Sequence, residues 1–176
     1  IIEDEFESRT GRSVSSYPED QFQIIRRVIH ATGDFSFAEN LIFSENAIQH
    51  GIKAIREGNN IYTDVNMAKA GISKPLTKRF GNETICLVHD PLVQDTAKKH
   101  KITRSEAAVD LLIEKDCKIV VIGNAPTALI RIIEHVKNKR FVPGLVVGVP
   151  VGFVNAAESK ELLLQSEICS ITVRGR

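Results

Sequence analysis

His30 is the residue of this sequence that is best suited to acid–base chemistry. It follows Phe22, Ile25, Val28 and Ile29, whose spacing predicts an amphipathic helix that ends near this histidine. A histidine in the last turn of a helix lies at the negative end of the helix dipole, which favours the protonated imidazole. Such a group could donate a proton near neutral pH. The same position also suits a histidine that only contacts the free carbonyls of the helix end.

A short loop after a predicted strand could bind an anion. It consists of Gly123, Asn124, Ala125, Pro126 and Thr127, and it leads into a predicted helix. The free N–H groups at the start of a helix attract carboxylates and phosphates. The loop lacks the further glycines of a dinucleotide-binding fingerprint and the Gly-Lys-Ser/Thr of a phosphate-binding loop. An ordinary tight turn is the alternative interpretation.

Other segments favour a large, flat ligand that carries carboxylates. Residues 148–153 contain two glycines and a proline and would form a shaped apolar wall, although a loop packed for stability would look the same. Arg104 is unfavourable at the positive end of a helix dipole and could instead hold a carboxylate. Arg174 and Arg176 follow the last predicted strand and could do the same. A simple surface arginine is the alternative at position 104.

The cysteines and the remaining histidines do not form a metal-binding pattern. Cys86 and His89 are three residues apart in a predicted strand, so their side chains would point to opposite faces. No second pair completes a tetrahedral set, and we predict no metal site. Ser105 has no neighbouring base, which argues against a serine hydrolase. The other histidines lie on polar helical segments and are predicted to be exposed to solvent: His50, His100 and His135.

Strands and helices alternate along the chain. Apolar segments predict strands at residues 61–65, 84–89, 117–122, 145–149 and 168–173. Helical patterns lie around them: residues 18–33, with a capping box of Ser16 and Glu19; residues 45–57; a segment from residue 91; a segment capped by Thr103 and Glu106; a segment after residue 127; and residues 156–165.

This alternation predicts one α/β domain over residues 1–176, with a mostly parallel β-sheet and helices on both faces. Ligands of such sheets bind at the carboxyl ends of the strands. The loops at residues 64–67, 123–127 and 148–153 all follow predicted strands. We therefore expect them to meet at one edge of the sheet.

Composition excludes several classes of function. The 176 residues carry 23 basic and 22 acidic side chains, so no general attraction to nucleic acid or to an anionic membrane is expected. The longest uncharged stretch, residues 141–157, is interrupted by prolines and glycines and is too short to span a membrane. Three widely spaced cysteines do not form a disulfide framework and indicate a reduced, cytoplasmic protein.

Several segments, taken together and in order, resemble the precorrin-8X methylmutase family, also called the cobalt-precorrin-8 methylmutase family. The matching segments are VIHATGD at 28–34, DVNM at 64–67 with GI at 71–72, GNE at 81–83 with IC at 85–86, TRS at 103–105 with AA at 107–108, GNAPTAL at 123–129, GVPVGFV at 148–154 with AAESK at 156–160, and VRGR at 173–176. Each segment is short, but the ordered set is specific and runs from the first amphipathic helix to the end of the chain.

The resemblance implies an isomerase of cobalamin biosynthesis that moves one methyl group of a tetrapyrrole, from ring carbon eleven to ring carbon twelve of a corrin precursor. The product would be of the hydrogenobyrinic or cobyrinic acid type. No cofactor and no external methyl donor is implied, and the family is typically a homodimer with its active site near the subunit interface. The family's acid–base histidine falls on His30. Substrate contacts are expected from residues of the shared motifs: Thr32, Asp64, Met67, Thr103, Arg104, Ser105, Gly123, Asn124, Ala125, Pro126, Thr127, Pro150, Gly152, Phe153 and Arg174.

The sequence departs from the family pattern at its ends. Members carry an Arg-Ser-Phe segment just before the position of residue 1, and its serine contacts the substrate. They also continue past residue 176 with small residues and a further helix, and Asn155 replaces a usual glycine. These departures predict that the chain is part of a longer protein. They leave two other hypotheses open: a non-catalytic corrinoid-binding or tetrapyrrole-binding protein, and a nucleotide-dependent enzyme with a Rossmann-like sheet.

Overall fold

A single sheet positions the loops of the expected site. The computed structural model describes residues 2–115 and 117–175. Within these residues the strands are β1 (Leu41–Phe43), β2 (Asn60–Thr63), β3 (Thr84–Ile85), β4 (Cys117–Ile122), β5 (Leu145–Gly148) and β6 (Ser170–Val173). The helices are α1 (Ile2–Thr10), α2 (Glu19–Thr32), α3 (Phe37–Asn40), α4 (Ala47–Arg56), α5 (Asn66–Gly71), α6 (Lys74–Phe80), α7 (Pro91–His100), α8 (Arg104–Leu112), α9 (Pro126–Lys137) and α10 (Ala156–Leu164).

The strands follow one another across the sheet in the order β1-β6-β5-β4-β2-β3. All neighbouring strands are parallel except β1, which pairs antiparallel with β6. The predicted mostly parallel α/β sheet is therefore confirmed. β1 was not predicted, because three apolar residues between two short helices carry no periodic signal.

Helices cover both faces of the sheet. On one face, Tyr62, Val120 and Val146 are fully buried beneath the layer formed by α7 to α10. On the other face, the alternate residues Ile119 and Leu145 pack in clusters with buried residues of α4. This alternation of buried residues explains why the central strands read as continuous apolar runs.

An aromatic cluster anchors the helix that carries His30. Phe6 of α1 is completely buried and makes edge-to-face contacts with Tyr17 and with Phe22 of α2. Ile25 and Ile29 extend the same buried face along α2. The α2 helix ends where predicted, because Gly33 adopts φ 70° and donates its N–H to the carbonyl of Ile29.

Two local predictions are wrong, both because a turn takes the place of the predicted feature. Ser16 does not cap α2: it lies in a 3-10 turn and donates its hydroxyl to Ser13, while Pro18 occupies the N-cap position of α2. The strand predicted at residues 84–89 ends at Ile85. The chain then forms a turn in which Asp90 donates its N–H to the carbonyl of Leu87, and the Asp90 carboxylate caps α7 by accepting from the N–H of Leu92.

The prediction that His135 is solvated is also wrong. Its side chain is 5% exposed, and its Nε2 lies 2.6 Å from Oδ1 of Asp110. Arg131 donates to both oxygens of the same carboxylate, at 2.7 and 2.9 Å. A histidine can be buried between two helices when a carboxylate satisfies its ring nitrogen, and the polar residues that surround His135 in the sequence do not reveal that. His50 and His100 are exposed, as predicted.

Candidate active site

The buried carboxylate of Asp64 organises the carboxyl edge of the sheet. Asp64 follows β2 directly and is 1% exposed. Its Oδ1 accepts a hydrogen bond from the N–H of Gly123 at 2.9 Å, and its Oδ2 accepts from Asn124 at 2.9 Å and from Ala125 at 2.7 Å. The loop after β4 is thus held by the residue after β2. This confirms that these two strand ends meet.

The anion at the start of α9 therefore comes from the protein itself. The sequence predicted that this loop would attract a carboxylate, and the structure places Asp64 there. Three successive backbone N–H groups of the loop donate to Asp64 and are therefore not available to a substrate. Any substrate carboxylate at this edge must then be bound mainly by side chains, among which Asn124 is exposed and Thr127 is half-buried.

The N-terminus of α8 lies beside the N-terminus of α9. Oγ1 of Thr103 is 3.3 Å from Oγ1 of Thr127. Thr103 also forms the predicted capping box with Glu106, which fixes the first turn of α8. The exposed Arg104 and the half-buried Ser105 begin this helix. The structure thus brings Thr103, Arg104 and Ser105 next to the 123–127 loop.

The loop after β5 supplies an exposed apolar surface at the same edge. Val149 donates its N–H to the carbonyl of Ile122, which holds this loop next to the end of β4. Pro150 is buried, and Gly152 adopts φ 130°, a conformation that disfavours other residues. Phe153 is 87% exposed, and Met67, after β2, is 81% exposed. Large apolar side chains with this exposure mark a surface that binds a ligand or a partner.

His30 and Thr32 lie at the end of α2, before the segment that leads into β1, the outer strand on the other side of the sheet. His30 is exposed in the last turn of α2, and the Thr32 hydroxyl donates to the carbonyl of Val28. The chain then passes through α3, whose Asn40 accepts a hydrogen bond from the N–H of Arg174 after β6. Arg174 is exposed there, whereas Arg176 lies outside the described residues.

The expected site residues form two groups. One group surrounds the ends of β2, β4 and β5, and the other, with His30 and Arg174, lies beside β6 and β1. Within the described residues, no hydrogen bond or ion pair joins His30 to the first group. Adjacent strands are about 4.8 Å apart, so the edge from β1 to β2 spans roughly 19 Å. An edge of this width can accommodate a large, flat molecule.

Sequence reasoning missed the structural role of Asp64 and found no metal site. An aspartate that directly follows an apolar strand was the available signal for Asp64, but its partner loop is 61 positions away at Ala125. Within residues 2–115 and 117–175, no three side chains of the metal-binding types converge. In the same described part, no helix is both long and apolar enough to cross a bilayer.

Comparison with known proteins shows which family this chain matches. The family model described as precorrin-8X methylmutase matches residues 1–176. A relative named cobalt-precorrin-8 methylmutase, from Methanocaldococcus jannaschii, is 44% identical over 176 residues, covering 99% of this chain and 80% of the relative. One of the same name from Salmonella typhimurium is 49% identical over 155 residues, covering 87% of this chain and 72% of the relative. The crystal structure of a precorrin-8X methyl mutase from Thermus thermophilus superposes with a TM-score of 0.85 at 36% identity, covering 100% of this chain and 86% of the other.

Proposed function

Because this chain belongs to the precorrin-8X methylmutase family, we propose that it isomerises precorrin-8X or cobalt-precorrin-8 by moving one methyl group between adjacent ring carbons. The reaction belongs to cobalamin biosynthesis. The observation that carries the proposal is the convergence of strand-end loops on one broad edge, where exposed apolar side chains lie beside exposed arginines. A flat ring bordered by carboxylates needs both kinds of contact.

His30 acts as the acid–base residue. It is exposed at the end of a helix that is rigidly anchored by the aromatic cluster. An intramolecular methyl shift needs one proton-transfer group and tight orientation of the ring, and it needs no separate nucleophile. His30 protonates the macrocycle so that the migrating methyl group finds an electron-deficient neighbouring carbon, and it takes the proton back afterwards.

The rest of the edge binds and orients the substrate. Phe153 and Met67 are exposed when no substrate is bound, and they pack against the face of the ring when it binds. Arg104 and Arg174, at opposite ends of the edge, hold carboxylates on the rim of the ring. Asp64 keeps the 123–127 loop in place and does not contact the substrate, because its oxygens are occupied by backbone amides.

The protein acts as a homodimer in the cytoplasm. Exposed apolar side chains on α4 and α6, namely Ile52, Leu76 and Phe80, support a second copy packing against these helices. Among the described residues, Cys86, Cys117 and Cys169 form no disulfide, which is compatible with a reducing compartment. Sedimentation of the purified protein would test the dimer.

The deciding experiment is turnover of precorrin-8X by purified protein with no added cofactor, followed by visible absorption. The methyl shift changes the conjugation of the ring, so the wild-type protein is expected to change the spectrum. His30→Ala should bind the pigment but leave the spectrum unchanged. His100→Ala, which removes an exposed histidine at the end of α7, is the matched control and should turn over normally.

Other outcomes would point to the alternative hypotheses. Turnover by His30→Ala at the wild-type rate would remove the acid–base role from this residue. Pigment that co-elutes with the wild-type protein without any spectral change would identify a corrinoid-binding protein without this activity. Thermal stabilisation by a nicotinamide nucleotide or S-adenosylmethionine, with none by corrinoids, would favour a nucleotide-dependent enzyme.

A further inference from the structure

Lys160 is a buried lysine that has no partner among the described residues. It lies on α10 and is only 2% exposed. Among the described residues, no hydrogen bond or ion pair engages its ammonium group. Lysine is almost never buried to this extent unless it is paired. Burial lowers the pKa of Lys160, and no neighbouring charge opposes that shift. A lowered pKa is expected for a buried ammonium group whose charge is not compensated.

The ammonium group is nevertheless not completely buried. The described side-chain polar atoms that are both fully buried and unpartnered are Oη of Tyr62 and Oδ1 of Asn82. Nζ of Lys160 also lacks a partner but is not fully buried, so it keeps contact with solvent. The aliphatic part of the side chain is thus covered, and what contact with solvent remains is at its charged end.

Packing of α10 shows where the charged end of Lys160 lies. A Cβ atom at Gly148, the last residue of β5, would lie 2.6 Å from Cδ2 of Leu163, so Leu163 sits directly over the end of that strand. Lys160 is on the same face of α10 and three residues closer to its N-terminus, roughly 4.5 Å further along the helix. Helical side chains also tilt towards the N-terminus.

The end of Lys160 therefore points beyond the carboxyl end of β5. That position is beside the loop that carries Pro150 and Phe153, on the side of the first group of site residues that is nearest to β6. α10 begins at Ala156, directly after this loop, and packs against α9 and β6. Lys160 is thus a buried cation in the middle of the proposed substrate-binding edge.

We propose that Lys160 binds a carboxylate on the rim of the substrate. The inference rests on the proposed function, because it assigns the ligand as the carboxylated corrinoid of that reaction. A carboxylate placed against Nζ compensates a charge that the folded protein leaves unpaired. A charged hydrogen bond in such a partly enclosed position is stronger than one made by a surface lysine. Lys160 would therefore contribute more to ring orientation than the exposed arginines do.

The test compares binding of cobyrinic acid by the wild-type protein and by Lys160→Met, which keeps the length of the side chain and removes its charge. Affinity should fall by at least about tenfold, the loss expected for one charged hydrogen bond. The thermal unfolding midpoint without ligand should stay the same or rise, since a buried unpaired charge is removed. Lys99→Met, on the exposed face of α7, is the control and should change neither quantity.

Lys160→Gln is a second neutral variant, and its affinity for cobyrinic acid is measured if Lys160→Met does not fold. Unchanged affinity in either folded variant would overturn the proposal. A lower unfolding midpoint with unchanged affinity would identify a purely structural lysine and would also overturn it. Turnover distinguishes this test from that of the proposed function. Weaker binding by the variants, with no turnover even by the wild-type protein, would support the Lys160 contact and contradict the isomerase.

Discussion

The carboxylate of Asp64 accepts a 2.7 Å hydrogen bond from the backbone N–H of Ala125, 61 positions later in the chain. It accepts two more from Gly123 and Asn124. An anion at this position also complements the dipole of α9, which begins at the next residue. The same contact joins the ends of the adjacent strands β2 and β4 and shapes the 123–127 loop of the first group of site residues.

Replacing Asp64 by asparagine should destabilise the protein and displace this loop. The side-chain NH2 group of asparagine would then face a backbone N–H, and two donors cannot form a hydrogen bond. The free energy of unfolding should therefore fall by about 1–3 kcal/mol. Turnover should fall as well, because the loop loses its position. Urea unfolding measures the first effect. Asp95→Asn, on the exposed side of α7, is the control and should change stability by less than about 0.5 kcal/mol.

Arg104 should affect substrate binding without affecting stability. It is exposed at the start of α8, and no ion pair among the described residues engages it. Arg104→Gln should weaken binding of cobyrinic acid by about tenfold, the loss of one charge-assisted contact. Arg140→Gln removes an exposed arginine that follows α9 and should bind normally. Equal affinity in the two variants would exclude Arg104 from the site.

Stability should depend on pH through Asp110. Burial alone would raise the pKa of this carboxyl, but hydrogen bonds and charge from Arg131 and His135 outweigh burial and hold the pKa below its usual value. A lowered pKa in the folded state stabilises the protein above the unfolded-state pKa of about 4, and this stabilisation is lost as the pH falls through the folded-state value.

Asp110→Asn therefore should cost about 1–3 kcal/mol at neutral pH and progressively less below about pH 4. Urea unfolding of both proteins across the acid range measures this difference. A difference that is constant with pH would show that the carboxylate charge does not stabilise the fold. Asp34→Asn is an unsuitable control, since backbone and side-chain hydrogen bonds from Ser36 also lower the pKa of Asp34.

Tyr62 and Tyr17 should respond in opposite ways to loss of the hydroxyl. The Tyr62 hydroxyl is fully buried without a partner among the described residues, and burial raises its pKa strongly. Tyr62→Phe should leave stability unchanged or increase it by up to about 1 kcal/mol. The Tyr17 hydroxyl donates to the carbonyl of Ala38 at 3.1 Å, so Tyr17→Phe should cost about 1 kcal/mol. Destabilisation by Tyr62→Phe would mean that its hydroxyl has a partner.

The sequence predicted most of the elements because hydrophobic periodicity and capping residues are local. The capping box of Thr103 and Glu106 and the end of α2 at Gly33 are confirmed in detail. The convergence of strand-end loops followed from the parallel sheet alone. Contacts that join distant positions were not predictable: the Asp64 carboxylate on the 123–125 amides, His135 against Asp110, and the burial of Lys160 all depend on how helices pack.

The two outer strands are very short. β1 has three residues and β3 has two, and they flank the longer strands at the centre of the sheet. Long, flat outer strands expose unpaired backbone groups that recruit strands of other molecules, whereas short ones offer little to extend. Copies of this protein are thus discouraged from joining sheet to sheet into open-ended aggregates. Association through helices and loops, which closes on itself, remains open to them.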